Sequence, residues 1–128
     1  MNIGESANSQ IRARLHWNET GIQLVAGEQY LITASGEWVD FFIKHGPDGD
    51  PSPNAYMRSF ESQRRMPNEF WFALIGGLDS NLETAFLIGS RCQYTAVKSG
   101  QLCCFANDVD WFYWNNWGSV SMTVTRSA

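Results

Sequence analysis

No window of the chain carries the apolar spacing of an amphipathic helix, and that absence constrains the fold more than any other feature. What recurs instead is alternation. Val120, Met122 and Val124 alternate with Ser119, Ser121, Thr123 and Thr125, the period-two pattern of a strand with one face in water. Ile11 to Trp17 alternates in the same way and predicts a strand, with Asn18 to Gly21 turning the chain after it. Tyr30 to Val39 is rich in β-branched and aromatic residues, and its internal Gly36 marks a bulge or a close backbone approach. Phe70 to Ile75, Thr84 to Ile88, Gln93 to Val97 and Leu102 to Phe105 read as further strands, separated by Gly76-Gly77, Gly89-Ser90 and Ser99-Gly100. Gly46 to Pro53 is a structured loop, because its glycines and prolines cannot extend a ladder, and Tyr56 to Met66 leaves room for a short turn. Roughly seven or eight short strands with such punctuation predict an all-β fold, a jelly-roll-type β-sandwich of two antiparallel sheets. Without a repeat or a linker, residues 1–128 read as a single domain.

Several function classes are excluded by composition and motif. The formal net charge of −4 repels phosphate backbones, so nucleic acid is not an expected partner. Membrane insertion is not expected either, since the longest apolar run falls far short of the ~20 residues a helical span requires. Met1 to Gln10 has neither a basic segment nor an apolar core, which predicts a cytoplasmic protein, or one released by a route other than a signal peptide. The three cysteines follow no metal spacing; Cys103 and Cys104 are adjacent, so in a strand they face opposite sides and read as buried thiols. The motifs of phosphate cradles, zinc proteases and serine hydrolases are absent, so no catalytic residue is assigned and the chain is not expected to be an enzyme. His16 reads as a solvated residue and His45 as a residue that orients the adjacent loop or touches a ligand.

Chemistry concentrates between Asn107 and Gly118, where NDVDWFYWNNWG gathers Asp108, Asp110, Asn115 and Asn116 in an irregular segment. Hard cations such as calcium take roughly six to eight carboxylate, amide and main-chain oxygens and tolerate irregular geometry. Softer metals want the imidazole or thiolate donors this segment lacks. Trp111, Phe112, Tyr113, Trp114 and Trp117 cannot all enter a core from one short loop, so some face solvent or a partner. Aromatic faces beside polar groups hold sugar rings, and a subunit interface uses the same residues.

At these positions the sequence resembles the PA-I galactophilic lectins, small calcium-dependent bacterial sugar-binding proteins with a jelly-roll β-sandwich. The match runs through Asn107, Asp108, Val109, Tyr113, Asn115, Asn116, Gly118 and Ser119, with a second block at Gly36 to Trp38 followed by Gly46, Pro47, Gly49 and Asp50. The resemblance implies Ca²⁺ held by the side chains of Asp108, Asn115 and Asn116 and by the carbonyls of Phe112 and Phe41, with two adjacent sugar hydroxyls completing the shell. Asp110 or Asp40 would supply a second full charge. Carried over residue by residue, it implies sugar contacts from Asp108, Val109, Phe112 and Asn115, with apolar contact from Trp111. Where the family has a His and a Gln after its Gly-Pro-x-Gly-Asp block, this chain offers Ser52, Asn54 and Tyr56. The expected partner is galactose or a galactoside, and a homo-oligomer, dimer or tetramer, follows from the resemblance and the surplus of aromatics. The alternative is an assembly module of the same fold that has lost its sugar site and uses Trp111, Trp114 and Trp117 as interface anchors.

Overall fold

A computed structural model describes residues 1–51, 55–58 and 60–128. They form the expected all-β sandwich of two antiparallel sheets. In chain order the strands are β1 (Ser6–Arg12), β2 (Asn18–Leu24), β3 (Gln29–Ser35), β4 (Trp38–Asp40), β5 (Ile43–His45), β6 (Leu74–Leu78), β7 (Asn81–Leu87), β8 (Arg91–Thr95), β9 (Gly100–Ala106) and β10 (Asn116–Arg126). One sheet runs β5-β4-β10-β3-β8, with β1 on the other edge of β10, and the second runs β2-β9-β6-β7.

The long β10 organises the molecule. Val120, Met122 and Val124 are fully buried against Ile11, Ile32, Leu102 and Cys104, as their alternation requires. The partners of β10 change along its length. Ser35 of β3 faces Ser121, and Trp38 of β4 faces Gly118 in the same register, so β3 and β4 are one extended path interrupted at Gly36, whose φ is 107°. Beyond Gly118 (φ 80°), Asn116 lies opposite Asp40. That juxtaposition at the end of the sandwich places the site.

Three boundaries differ from the sequence expectation. The predicted strand at Ile11 to Trp17 ends at Arg12, and Asn18, expected in a turn, opens β2. The reason is the Asn18 side chain. Its Oδ1 accepts from Arg12 N at 2.8 Å while its Nδ2 donates to the carbonyls of Arg12 and Cys104, stitching both sheets together. Gly21 (φ 74°) then sits in a bulge within β2. Gly76 and Gly77, expected to end a strand, lie inside β6, which starts only at Leu74. A Cβ on Gly76 would fall 2.8 Å from Phe86 and Ile88, and one on Gly77 2.9 Å from Trp17. Neighbouring side chains lie on that backbone, so the glycines answer to packing rather than to a turn.

The cysteines are free, with Cys103 and Cys104 buried and Cys92 half-buried. Burial pushes the Cys104 thiol up, and its sulfur lies 3.7 Å from that of Met122. The Tyr56 to Met66 region contains a single helical turn, Ala55–Arg58, and a short 3-10 helix, Glu61–Gln63.

Candidate functional site

The site is assembled by three buried polar residues on the 107–118 segment. Asn107 is fully buried: its Oδ1 accepts from Met66 N at 3.0 Å and its Nδ2 donates to the carbonyls of Met66, Glu69 and Phe70, tying the 66–70 loop to the end of β9. Asp108, 1% exposed, accepts from Val109 N at 2.7 Å through Oδ1 and from Asn116 Nδ2 at 2.9 Å through Oδ2. Asn116 Nδ2 also donates to Ala13 O at 3.2 Å. With its nitrogen committed twice, Asn116 leaves its Oδ1 buried and without a partner.

Between Asp108 and Asn116 the chain forms a 3-10 helix, Asp110–Asn115, pinned by Tyr113. Tyr113 Oη donates to Ala106 O at 2.6 Å and accepts from Arg65 Nη1 at 3.0 Å. Arg65 is itself buried. Its guanidinium lies 3.5 Å from the centre of the Phe105 ring and donates to His16 O. Cation–π contact and hydrogen bonds together compensate a charge that burial alone would penalise. Asp110 turns away from the site, its carboxylate 2.7 Å from His16 Nε2 and 3.5 Å from Arg65 Nε.

Asp40 supplies the second carboxylate. Burial, and after it the charge of Asp108, pushes Asp40 up to about 7. Burial pushes Asp108 up to about 6, against the downward pull of its bonds from Asn116 and Val109. Among the described residues neither carboxylate has an ion-pair partner. Asn115 Oδ1 is likewise buried and unpaired. Phe41, in the left-handed region at φ 59°, donates its N–H to Asn115 O at 2.9 Å, while its carbonyl accepts from Trp117 Nε1 at 2.8 Å and keeps a second lone pair.

Among the described residues, two mutually repelling carboxylates without an ion-pair partner and two buried, unpaired amide oxygens lie on neighbouring segments, oxygen donors of the kind a hard divalent cation takes. The residues present fit calcium. No cluster of three His, Cys, Asp or Glu side chains occurs among the described residues, so half of the side-chain oxygens come from neutral amides.

Beside these oxygens opens a cleft of about 420 Å³ whose lining includes Asp40 and Asn115 together with Phe41, Phe112 and Trp114. The structure thus brings Asp108, Asn115, Asn116 and Phe41 together, with Phe112 next to them. Two other sequence candidates lie elsewhere. Val109 is fully buried in a small core with Met57 and Trp71, so its side chain presents nothing to a ligand. Trp111 is 58% exposed and packs edge-on against Phe112, outside the cleft, and Trp114 takes the wall position. Ser52 and Asn54, and the side chain of Tyr56, lie outside the described residues. His45 orients its loop: it is buried, stacks at a tilt on Phe72 at 5.2 Å and lies 3.9 Å from the Asp50 carboxylate.

Asp40 carried a signal in the sequence. Two residues beyond Trp38 in an extended segment, it must share the inward face of that tryptophan. Trp71 and Arg65 carried none, because nothing local marks which tryptophan or arginine the tertiary fold encloses.

The architecture is a β-sandwich of two antiparallel sheets, with these polar residues gathered where β4 meets β10. Among solved structures the chain is similar to the N-terminal domain of EclA, described as a PllA-like lectin, with a TM-score of 0.69 and 22% identity over 93% of this chain and 94% of that one. No family model matches the chain, and no curated protein does.

Proposed function

We propose that this chain is a calcium-dependent carbohydrate-binding protein that recognises a galactose-like sugar and performs no chemistry on it. The observation that carries the reading is the pair of buried, unpaired amide oxygens of Asn115 and Asn116 beside the uncompensated carboxylates of Asp40 and Asp108. The likeness in fold to a PllA-like lectin domain supports it. Asp108, Asp40, Asn115 and Asn116 would hold the ion, with the carbonyls of Phe41 and Phe112. When bound, calcium supplies coordination positions that two adjacent sugar hydroxyls can fill. The chain's own residues orient the sugar: Asn115 faces the cleft as a polar anchor, and the exposed indole of Trp114 offers a face for the C–H surface of the ring. Single-site sugar binding is weak, so a homo-oligomer would supply avidity.

Calorimetry tests this directly. Calcium is expected to bind, galactose to give heat only after calcium is added, and a chelator to abolish that heat. Asn115→Ala is expected to weaken calcium binding about tenfold or more, since it deletes an oxygen that has no other task. A panel of neutral sugars silent with and without calcium would refute the reading. Trp114→Ala is expected to weaken sugar binding several-fold while Trp111→Ala stays near wild type, because only Trp114 lines the cleft.

The exposure of Trp111, Trp114 and Trp117, at 58%, 67% and 59%, favours one competing reading, an assembly module. Under it Trp114→Ala breaks the oligomer in analytical ultracentrifugation and Asn115→Ala leaves ion binding unchanged.

A further inference from the structure

Two further cavities, of about 370 Å³ and about 230 Å³, have Asn68, Glu69 and Phe70 in common. The first adds Asp48 and the exposed Leu87 to its lining, the second Asp50, Arg64 and Trp71. The backbone of the shared loop is held from several sides. Asn107 Nδ2 donates to the carbonyls of Met66, Glu69 and Phe70, and Arg64 donates from Nε to Glu69 O at 3.1 Å and from Nη2 to Pro67 O at 2.7 Å. Ala73 N donates to Phe70 O at 3.2 Å. This anchoring leaves the loop's side chains unused. The Phe70 ring is 53% exposed, and the side chains of Asn68 and Glu69 make no hydrogen bond or ion pair among the described residues. A prepositioned ring beside an uncommitted amide and an uncommitted carboxylate can stack the C–H face of a sugar while the polar neighbours bond to its substituents.

Charge narrows the ligand. The carboxylates of Asp48, Asp50 and Glu69 line the two cavities against the single guanidinium of Arg64. Asp48 is committed to Ser90, accepting from its N–H at 2.7 Å and from its hydroxyl at 2.8 Å, and Asp50 lies 3.9 Å from His45 Nδ1. Glu69 is the carboxylate left open to a cation, and the face of the adjacent Phe70 also attracts an ammonium. Trp71 lines the second cavity as well as the cleft, and its indole N–H is buried with no acceptor in the protein. A hydroxyl oxygen brought to that wall meets an unsatisfied donor.

We infer that the two cavities around Phe70 form a second, metal-independent site for an amino sugar that carries a free ammonium: the ring lies on Phe70, the ammonium pairs with Glu69, and hydroxyls bond to Asn68 and Trp71 Nε1. The site uses none of the proposed calcium ligands, so it stands apart from the calcium reading.

The test is calorimetry in a mildly acidic, low-salt buffer containing a chelator, with the trisaccharide of glucosamine set against its N-acetylated form and against the neutral glucose trisaccharide. The amine form is expected to bind at least about tenfold tighter than either comparison sugar, and added salt is expected to weaken it. Glu69→Gln is expected to cost the amine form about tenfold and to flatten its salt dependence, while calcium binding stays as in wild type. Phe70→Ala is expected to cost several-fold; because the ring is half in water, the variant folds, and its melting profile checks that. No binding of the glucosamine trisaccharide in chelator would overturn the inference, and so would equal affinity for its N-acetylated form. Unchanged binding in both Glu69→Gln and Phe70→Ala would overturn it too, since the attraction would then be to the acidic protein as a whole. None of these results touches the calcium reading, which is tested with the metal present.

Discussion

Stripped of divalent metal, the protein is expected to lose stability as pH rises from about 5 to about 8, and calcium added at pH 8 is expected to restore it. The direction follows from Asp40 and Asp108. An unfolded carboxyl titrates near 3.8, whereas these two are raised to about 7 and about 6 in the fold. Between those values the folded state holds protons that the unfolded state has released, so stability is highest at the acidic side of the window and falls as pH rises through 6 and 7. The two groups are coupled, and together they are worth on the order of a few kcal/mol. In melting temperature that is roughly 5–15 °C.

His45 works in the opposite sense. Burial lowers its pKa, with Asp50 pulling the other way, so charging it at low pH costs stability that is recovered as pH rises. The decisive measurement is therefore the difference between wild type and Asp40→Asn in melting profiles at pH 5 and pH 8. The variant is expected to show a shallower decline and to lose most of the calcium stabilisation, which for a ligand at 100 times its Kd amounts to about 2.7 kcal/mol. Identical profiles for the two proteins would mean that neither burial nor the charge of Asp108 raises Asp40 in the fold.

Gly49→Ala is expected to cost about 3 kcal/mol or more, enough to lower the melting temperature by over about 10 °C. A Cβ at Gly49 would lie 2.3 Å from Trp71 O and 2.7 Å from Ala73 N. Both are backbone atoms held in place: Asp50 N donates to Trp71 O, and Ala73 N donates to Phe70 O. Gly49 also has a φ of 80°, so an L side chain is strained before it meets any neighbour. Gly27→Ala separates the two effects. Its φ is 84°, yet nothing lies within 4 Å of its Cβ position, so it should show only the left-handed penalty of roughly 1–2 kcal/mol. Equal losses in the two variants would show that the contact between the 46–50 loop and Trp71 is not tight. Because Trp71 lines the cleft, Gly49→Ala is also expected to weaken ligand binding, while Gly27→Ala is not.

The core of the fold could be read from side-chain order. Val120, Met122 and Val124 could serve only one face of a strand, and they are fully buried. Side-chain chemistry grouped Asp108, Asp110, Asn115 and Asn116, and only the resemblance to the PA-I lectins narrowed that group to Asp108, Asn115 and Asn116. The boundaries were harder. Asn18 looks like a turn residue because short amides bond to nearby backbone, yet its partner Cys104 is far away in the chain. Gly76-Gly77 looks like a break because glycine permits turns, yet Trp17, Phe86 and Ile88 need that space inside a strand.

By itself, the amino-acid order determined the class of fold and the main strand faces, since alternation is a property of neighbours along the chain. Only the tertiary structure decided that Asp40 stands opposite Asn116, that Asp110 turns to His16 and Arg65 instead, and that Trp114 rather than Trp111 lines the cleft. Those outcomes depend on which distant segments compete for the same buried space. A carboxylate or an indole acquires its role from the groups packed around it, and the register of β4 on β10 sets those groups.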